Sequence, residues 1–90
     1  MSRPKIAIVI LNWNGAKLLK QFLPSVIEFS KNNSTDIIVA DNWSTDKSLS
    51  LLLIDFPEVK ILDLKQNFGF AHGYNEALKQ IDADYFVILN

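Results

Sequence analysis

The sequence predicts an α/β fold: an open, twisted, mostly parallel sheet of about four strands with helices on both faces. Four short, largely apolar runs lie at residues 6–11, 37–40, 59–64 and 85–89, and all but 59–64, which carries Lys60 and Asp63, are free of charged residues, the pattern of strands covered on both sides. The segments between them are long enough for crossover helices rather than hairpin turns. Polar residues gather where the runs end, at Asn12-Trp13-Asn14-Gly15, Asp41-Asn42 and Asn90. Ligands of open α/β sheets bind in the crevice beyond the carboxyl ends of the strands.

The first run, IAIVIL, is rich in β-branched residues and reads as a buried strand. After it, Leu18, Leu19, Phe22, Leu23, Val26 and Ile27 form one helical stripe, with Lys17, Lys20, Gln21 and Glu28 largely off it. Pro24 lies within that stripe and predicts a kink or a division, because its ring removes an amide donor and crowds the preceding turn. Asn32-Asn33-Ser34 closes the helix as a loop. The second run leads into VADNWSTDKS, where a second helix is expected to be capped by Ser44 or Asp46, to run through Leu49, Leu52 and Leu53, and to stop before Pro57. Its three consecutive leucines predict packing on more than one side. A third helix carries Phe70, Tyr74, Ala77, Leu78 and Ile81 inward, with Glu76 and Lys79 outward. The last run stops at Asn90, so residues 1–90 are expected to be a single partial domain, with one side of the last strand left unpaired and prone to self-association.

Composition narrows the partners. A hydrophobic share of 49% with 21% charged residues fits a globular chain rather than a disordered one. The net charge of −1 and the scattered Lys and Arg argue against nucleic acid. The absence of cysteine excludes disulfides and Cys-based zinc sites. The apolar run at 6–11 is too short for a signal-peptide core or a bilayer span, so no membrane segment is expected here.

Three ligand chemistries fail on the motifs. A dinucleotide fold would place Gly-x-Gly-x-x-Gly after the first strand, but the turn offers only Gly15. No glycine-rich run ends in Lys-Ser or Lys-Thr, as a Walker phosphate loop requires. A phospho-accepting receiver would need acids where Asn12 and Asn14 stand.

The segments IAIVILNWNG, IIVADNWSTDKS and NFGFAHGYNEAL, in this order and spacing, resemble the N-terminal half of glycosyltransferase family 2, which has the GT-A fold. The resemblance covers almost the whole chain, and three ordered matches are more specific than any one of them. It implies a nucleotide-diphosphate-sugar donor held at the rim of the sheet. Asp41 would then accept the imide N–H of uracil or thymine. Trp13 matches an aromatic position placed against the base, and Leu11 and Asn12 would approach the nucleotide through their backbone. Asn67, Gly69 and Asn75 match positions near phosphate or sugar, since glycine allows close backbone approach and free helix-start amides favour anions. Many members carry Arg just before the matched Asn, whereas this chain has Tyr74, so no contact of that Arg is carried over.

The family's metal motif would begin at Asn90, with its acidic ligand two residues later and magnesium or manganese neutralising the departing diphosphate. No catalytic residue is expected within residues 1–90; a general base further on would activate a glycan or lipid-linked acceptor, with inversion. The resemblance therefore implies an inactive 90-residue portion of a cytoplasmic enzyme, working in its full-length form at the inner face of the membrane. The rival reading is a non-catalytic nucleotide-binding or protein-interaction module.

Other polar residues have plainer roles. Asp46, Ser44 and Thr45 read as capping groups. Asp82 and Asp84 precede the last strand, at the end opposite the ligand rim, and Asp55 and Glu58 read as a solvated turn. His72 has no nucleophile beside it in the sequence pattern and is expected at the surface or rim. Phe68 and Phe70 are expected as core or lid residues, and Trp43 as packing against a neighbouring loop.

Overall fold

The structure, a computed structural model, describes residues 3–89. Its seven elements are β1 (Ile6–Asn12), α1 (Ala16–Asn33), β2 (Asp36–Asp41), α2 (Ser48–Asp55), β3 (Lys60–Asp63), α3 (Phe70–Lys79) and β4 (Tyr85–Leu89). The strands form one sheet in the order β3-β2-β1-β4, and all three pairings are parallel, as the unalternating apolar runs predict. The chain starts in the middle at β1, moves outward through β2 and β3, then crosses to the far side for β4. Such a reversal opens a crevice at the carboxyl ends.

Both faces of β1 and β2 are covered, which is why these strands need no polar residues. Ile8, Ile10, Ile37 and Val39 point to the face packed by Leu19, Leu23 and Ile27 of α1 and Leu52 of α2. Ala7, Val9, Ile38 and Ala40 point to the other, where Tyr74 and Ala77 of α3 lie. Burial of a side chain such as Leu23 or Val39 contributes about 1.5–3 kcal/mol, and both are fully buried.

Helix α1 is not divided: it runs unbroken through Pro24 to Asn33. Pro24 is exposed, so the carbonyl four residues back that loses its amide partner lies on the solvent side, where water can satisfy it. The helix stops at Ser34, whose left-handed backbone (φ 53°, ψ 45°) lets its N–H reach the Ser30 carbonyl. Helix α2 begins at Ser48, later than the expected caps at Ser44 or Asp46, because the intervening residues bond to another loop. It packs through Leu52, with Leu51 partly covered, while Leu53 and Ile54 are exposed. Packing on more than one side is therefore not found among the described residues, where α1 and the sheet cover a single face of this short helix.

Helix α3 buries Gly73, Tyr74 and Ala77. A Cβ at Gly73 would come within 3.0 Å of a Leu11 methyl and 3.2 Å of the Asn42 amide nitrogen, so the absent side chain lets α3 settle on the ends of β1 and β2. Phe70, expected as a core or lid residue, is 62% exposed and therefore not part of the core. At the sheet edge, Tyr85, Phe86, Val87 and Ile88 of β4 are exposed apolar residues. Asp82 and Asp84 do lie at the amino end of β4, where Asp84 accepts the Lys5 N–H at 2.7 Å. His72 is exposed, 3.6 Å from Glu76 and beside the Phe68 ring.

Candidate functional site

Two loops leave the carboxyl ends of β1 and β2 side by side, and short polar side chains bind them together. The Asp41 carboxylate accepts hydrogen bonds from Asn12 Nδ2 at 2.9 Å, Ser44 Oγ at 2.7 Å and Ser44 N at 2.9 Å. Ser44 Oγ also accepts from the Asn14 N–H at 2.9 Å. Asn14 Oδ1 in turn accepts the amides of Thr45 at 2.7 Å and Asp46 at 3.1 Å. Asp46 completes the lattice by accepting the Ala16 N–H at 3.2 Å and the Ser48 N–H at 2.9 Å, which ties the starts of α1 and α2 together. Burial is the largest single influence and pushes the Asp46 carboxyl up, but the donors from Ser48 and Ala16 together outweigh it and hold the group below its ordinary value. Asp46 is thus neither the cap nor a first-turn residue of α2, but from the loop before it its carboxylate holds the first amides of both helices.

Trp43 stands at the corner of the β2 loop with φ 70°. A side chain in this left-handed region costs about 1–2 kcal/mol. The corner is needed to bring the Ser44 N–H back to Asp41. The Trp43 ring is 61% exposed rather than packed against a neighbouring loop.

Beside this lattice, on the α3 face, lies an open cleft of about 290 Å³ lined by Leu11, Trp13, Asn42, Asn67, Gly69 and Phe70. Trp13 is 55% exposed. Asn42 is buried: Oδ1 accepts the Phe68 N–H at 2.9 Å, and Nδ2 donates to Asn67 Oδ1 at 3.2 Å and to the Gly69 carbonyl at 3.0 Å. These bonds fix the loop that turns into α3 through Gly69, whose φ of 78° suits glycine. Below it, the buried Tyr74 hydroxyl accepts the Leu11 N–H at 3.2 Å and donates to the Leu89 carbonyl at 2.6 Å, clipping β1 to β4 at the rim.

The expected site residues divide on this geometry. Leu11, Trp13 and Gly69 line the cleft, although the Leu11 N–H is engaged by Tyr74. Asn12 and Asp41 are buried in the polar lattice, and the Asn12 carbonyl accepts the Asn42 N–H at 2.8 Å. Asp41 is fully buried, with both oxygens occupied, and presents no face to the cleft. Asn75 is exposed on α3 outside the cleft lining, and Asn90 lies outside the described residues. Two lining residues, Asn42 and Phe70, were not among those expected. For Asn42 the signal is strand parity. Ile37, Val39 and Asp41 alternate onto the α1 face, whereas Ile38, Ala40 and Asn42 alternate onto the α3 face, where the cleft is.

No group of three or more His, Cys, Asp or Glu residues suited to a metal exists among the described residues. The magnesium or manganese motif was expected to begin only at Asn90, which lies outside the described residues.

A model of glycosyl transferase family 2 matches residues 7–90. The chain belongs to this family. Among curated relatives of this family 2 chain, the SPbeta prophage-derived glycosyltransferase SunS of Bacillus subtilis is 29% identical over 87 residues, covering 97% of the chain and 20% of SunS. The teichoic acid poly(glycerol phosphate) polymerase of Staphylococcus epidermidis is 27% identical over 90 residues, 96% of the chain and 12% of the polymerase. The chain thus spans a fifth or less of the length of these relatives. Among solved structures, S. aureus TarS 1-349 in complex with UDP-GlcNAc superposes with a TM-score of 0.77 at 24% identity, over 94% of this chain and 26% of that one. Mannosyltransferase PcManGT from Pyrobaculum calidifontis, in complex with GDP-Man and Mn2+, gives 0.73 at 22% identity, over 92% of this chain and 26% of that one. These two likenesses establish a GT-A-like fold.

Proposed function

We propose that this family 2 chain is the donor-nucleotide-binding portion of a glycosyltransferase that uses a nucleotide-diphosphate sugar, and that the Trp13 cleft receives the base. The observation that carries this reading is a half-exposed Trp13 beside a cleft at the carboxyl ends of β1 and β2, in a family 2 chain. An indole face offers stacking that contributes about 1–3 kcal/mol per base.

The polar reader in this proposal is Asn42 rather than Asp41. Both Nδ2 protons of Asn42 are spent on Asn67 and Gly69, and one Oδ1 lone pair is taken by Phe68. One acceptor lone pair is left, which suits the imide N–H of uracil or thymine. Helix α3 starts without a side-chain cap at Gly69, so its first-turn amides favour the diphosphate, and the exposed Asn75 is available further along the same helix. The UDP-GlcNAc complex of TarS supports a uridine donor. The manganese in PcManGT supports a divalent metal in the full-length protein, held outside the described residues together with the general base and the glycan or lipid-linked acceptor.

Calorimetric titration of the folded chain with UDP, TDP and GDP tests this. Saturable binding of a uracil or thymine nucleotide, weakened by Trp13→Ala, is expected. No heat with any of the three would favour the non-catalytic module without nucleotide binding.

A further inference from the structure

We propose that Phe70 is a second aromatic wall of the cleft, so that the base is held between the Trp13 and Phe70 rings; this rests on the donor-nucleotide reading above. Helical periodicity places Phe70 on the buried stripe of α3 with Tyr74 and Ala77, yet it is 62% exposed while those two are buried. It lies one turn before Gly73, the residue that rests on Leu11, and so overhangs the end of β1. An aromatic ring left in water at this point forgoes the burial its helix face would provide.

The ring is also held in place. It makes an edge-on contact with Tyr74, with centroids 5.3 Å apart and planes at 76°, and Tyr74 is itself fixed by hydrogen bonds to the Leu11 and Leu89 backbone. A wall set before the ligand arrives loses little freedom on binding. Phe70 has no polar atom with which to meet a phosphate or a sugar hydroxyl, so its part in the cleft is to cover an apolar, flat surface. A base has two such faces. Trp13 enters from the end of β1 and Phe70 from the first residue of α3, and both line the same space of about 290 Å³. Trp43, the other exposed aromatic at this rim, does not line it.

The test compares Phe70→Ala, Phe70→Leu and Phe70→Tyr in the 90-residue chain, each checked for folding by circular dichroism and titrated with UDP. Phe70→Ala is expected to weaken binding by about 10- to 100-fold. Phe70→Leu should be nearly as weak, and Phe70→Tyr should stay within about threefold of the parent, because the aromatic face rather than apolar bulk is needed. Since stacking reads a face and not an edge, the same factor is expected for every nucleoside diphosphate that the parent binds. Phe70→Ala binding within about twofold of the parent, or Phe70→Leu retaining full affinity, overturns the proposal while leaving the donor site intact. A folded parent that binds no nucleoside diphosphate overturns both. Should the Ala variant not fold, the contrast between Leu and Tyr still decides.

Discussion

Asp41→Ala separates a carboxylate that holds two loops together from one that reads a ligand. The substitution removes three hydrogen bonds, from Asn12 Nδ2 and from the hydroxyl and amide of Ser44. Bonds to a charged acceptor each contribute about 1.5–3 kcal/mol, but their sum overstates the loss, because alanine also ends the cost of burying the carboxylate. Asn12 Nδ2 keeps a second partner in Ser44 Oγ at 3.2 Å, so the groups left stranded are the part-buried N–H and hydroxyl proton of Ser44. Each unpaired donor costs about 1–3 kcal/mol. We expect a loss of about 3 kcal/mol. A domain of this size has about 5–13 kcal/mol in total, so the variant should remain folded at 25 °C. With a urea slope of about 1.5 kcal/mol per molar, the unfolding midpoint should fall by about 2 M. A change below about 0.5 kcal/mol, the level of an ordinary surface substitution, together with lost nucleotide affinity, would refute the structural role.

Tyr74→Phe should keep the aromatic contact with Phe70 but free the Leu11 N–H and the Leu89 carbonyl, costing about 1–2 kcal/mol. Amide exchange at Leu11 should then quicken more than at the central Val39, and equal changes at both would contradict the clip. Asp46 has a folded pKa below its ordinary 3.8, so its contribution is complete above that value and lost as pH falls through the lower folded pKa. Asp46→Asn keeps only one acceptor oxygen for the Ala16 and Ser48 amides and loses the charge, so it should be less stable than the parent by about 0.5–1 kcal/mol near neutral pH. In thermal melts the difference should shrink once pH falls below 3.8; a gap that persists unchanged in acid would count against the carboxylate. The exposed apolar strand β4 should make the parent chain associate as concentration rises, and Val87→Lys should suppress this, because a charge on an edge strand blocks pairing. Sedimentation showing a monomeric parent throughout would contradict it.

The strands were legible because β1 and β2 are buried on both faces, so their apolar runs stand out without alternation. The start of α2 was not. Ser44, Thr45 and Asp46 carry the chemistry of helix caps, but Ser44 and Thr45 spend it on Asn12, Asn14 and Asp41, and Asp46 divides it between α1 and α2. Asn14 lies 31 positions from Thr45, beyond any local pattern. Pro24 does not divide α1, because the carbonyl it leaves without an amide lies on the solvent face. At the cleft, Leu11, Trp13 and Gly69 followed from the family resemblance, while the choice between Asp41 and Asn42 turned on which face each strand residue points to. Phe70 escaped because periodicity assumes that a sheet lies beneath the whole helix, and the first turn of α3 overhangs its end.

Amide NMR of the isotopically labelled chain titrated with UDP tests the Trp13 cleft most directly. Saturable shifts are expected at Leu11, Trp13 and its indole N–H, Asn42 and residues 67–70. The cleft at the opposite end of the sheet, lined by Lys5, Asp36, Lys60 and Asp82 among others, should remain unshifted. Shifts confined to that opposite end, or a well-dispersed spectrum that UDP leaves unchanged, would contradict the assignment of the Trp13 cleft to the donor nucleotide.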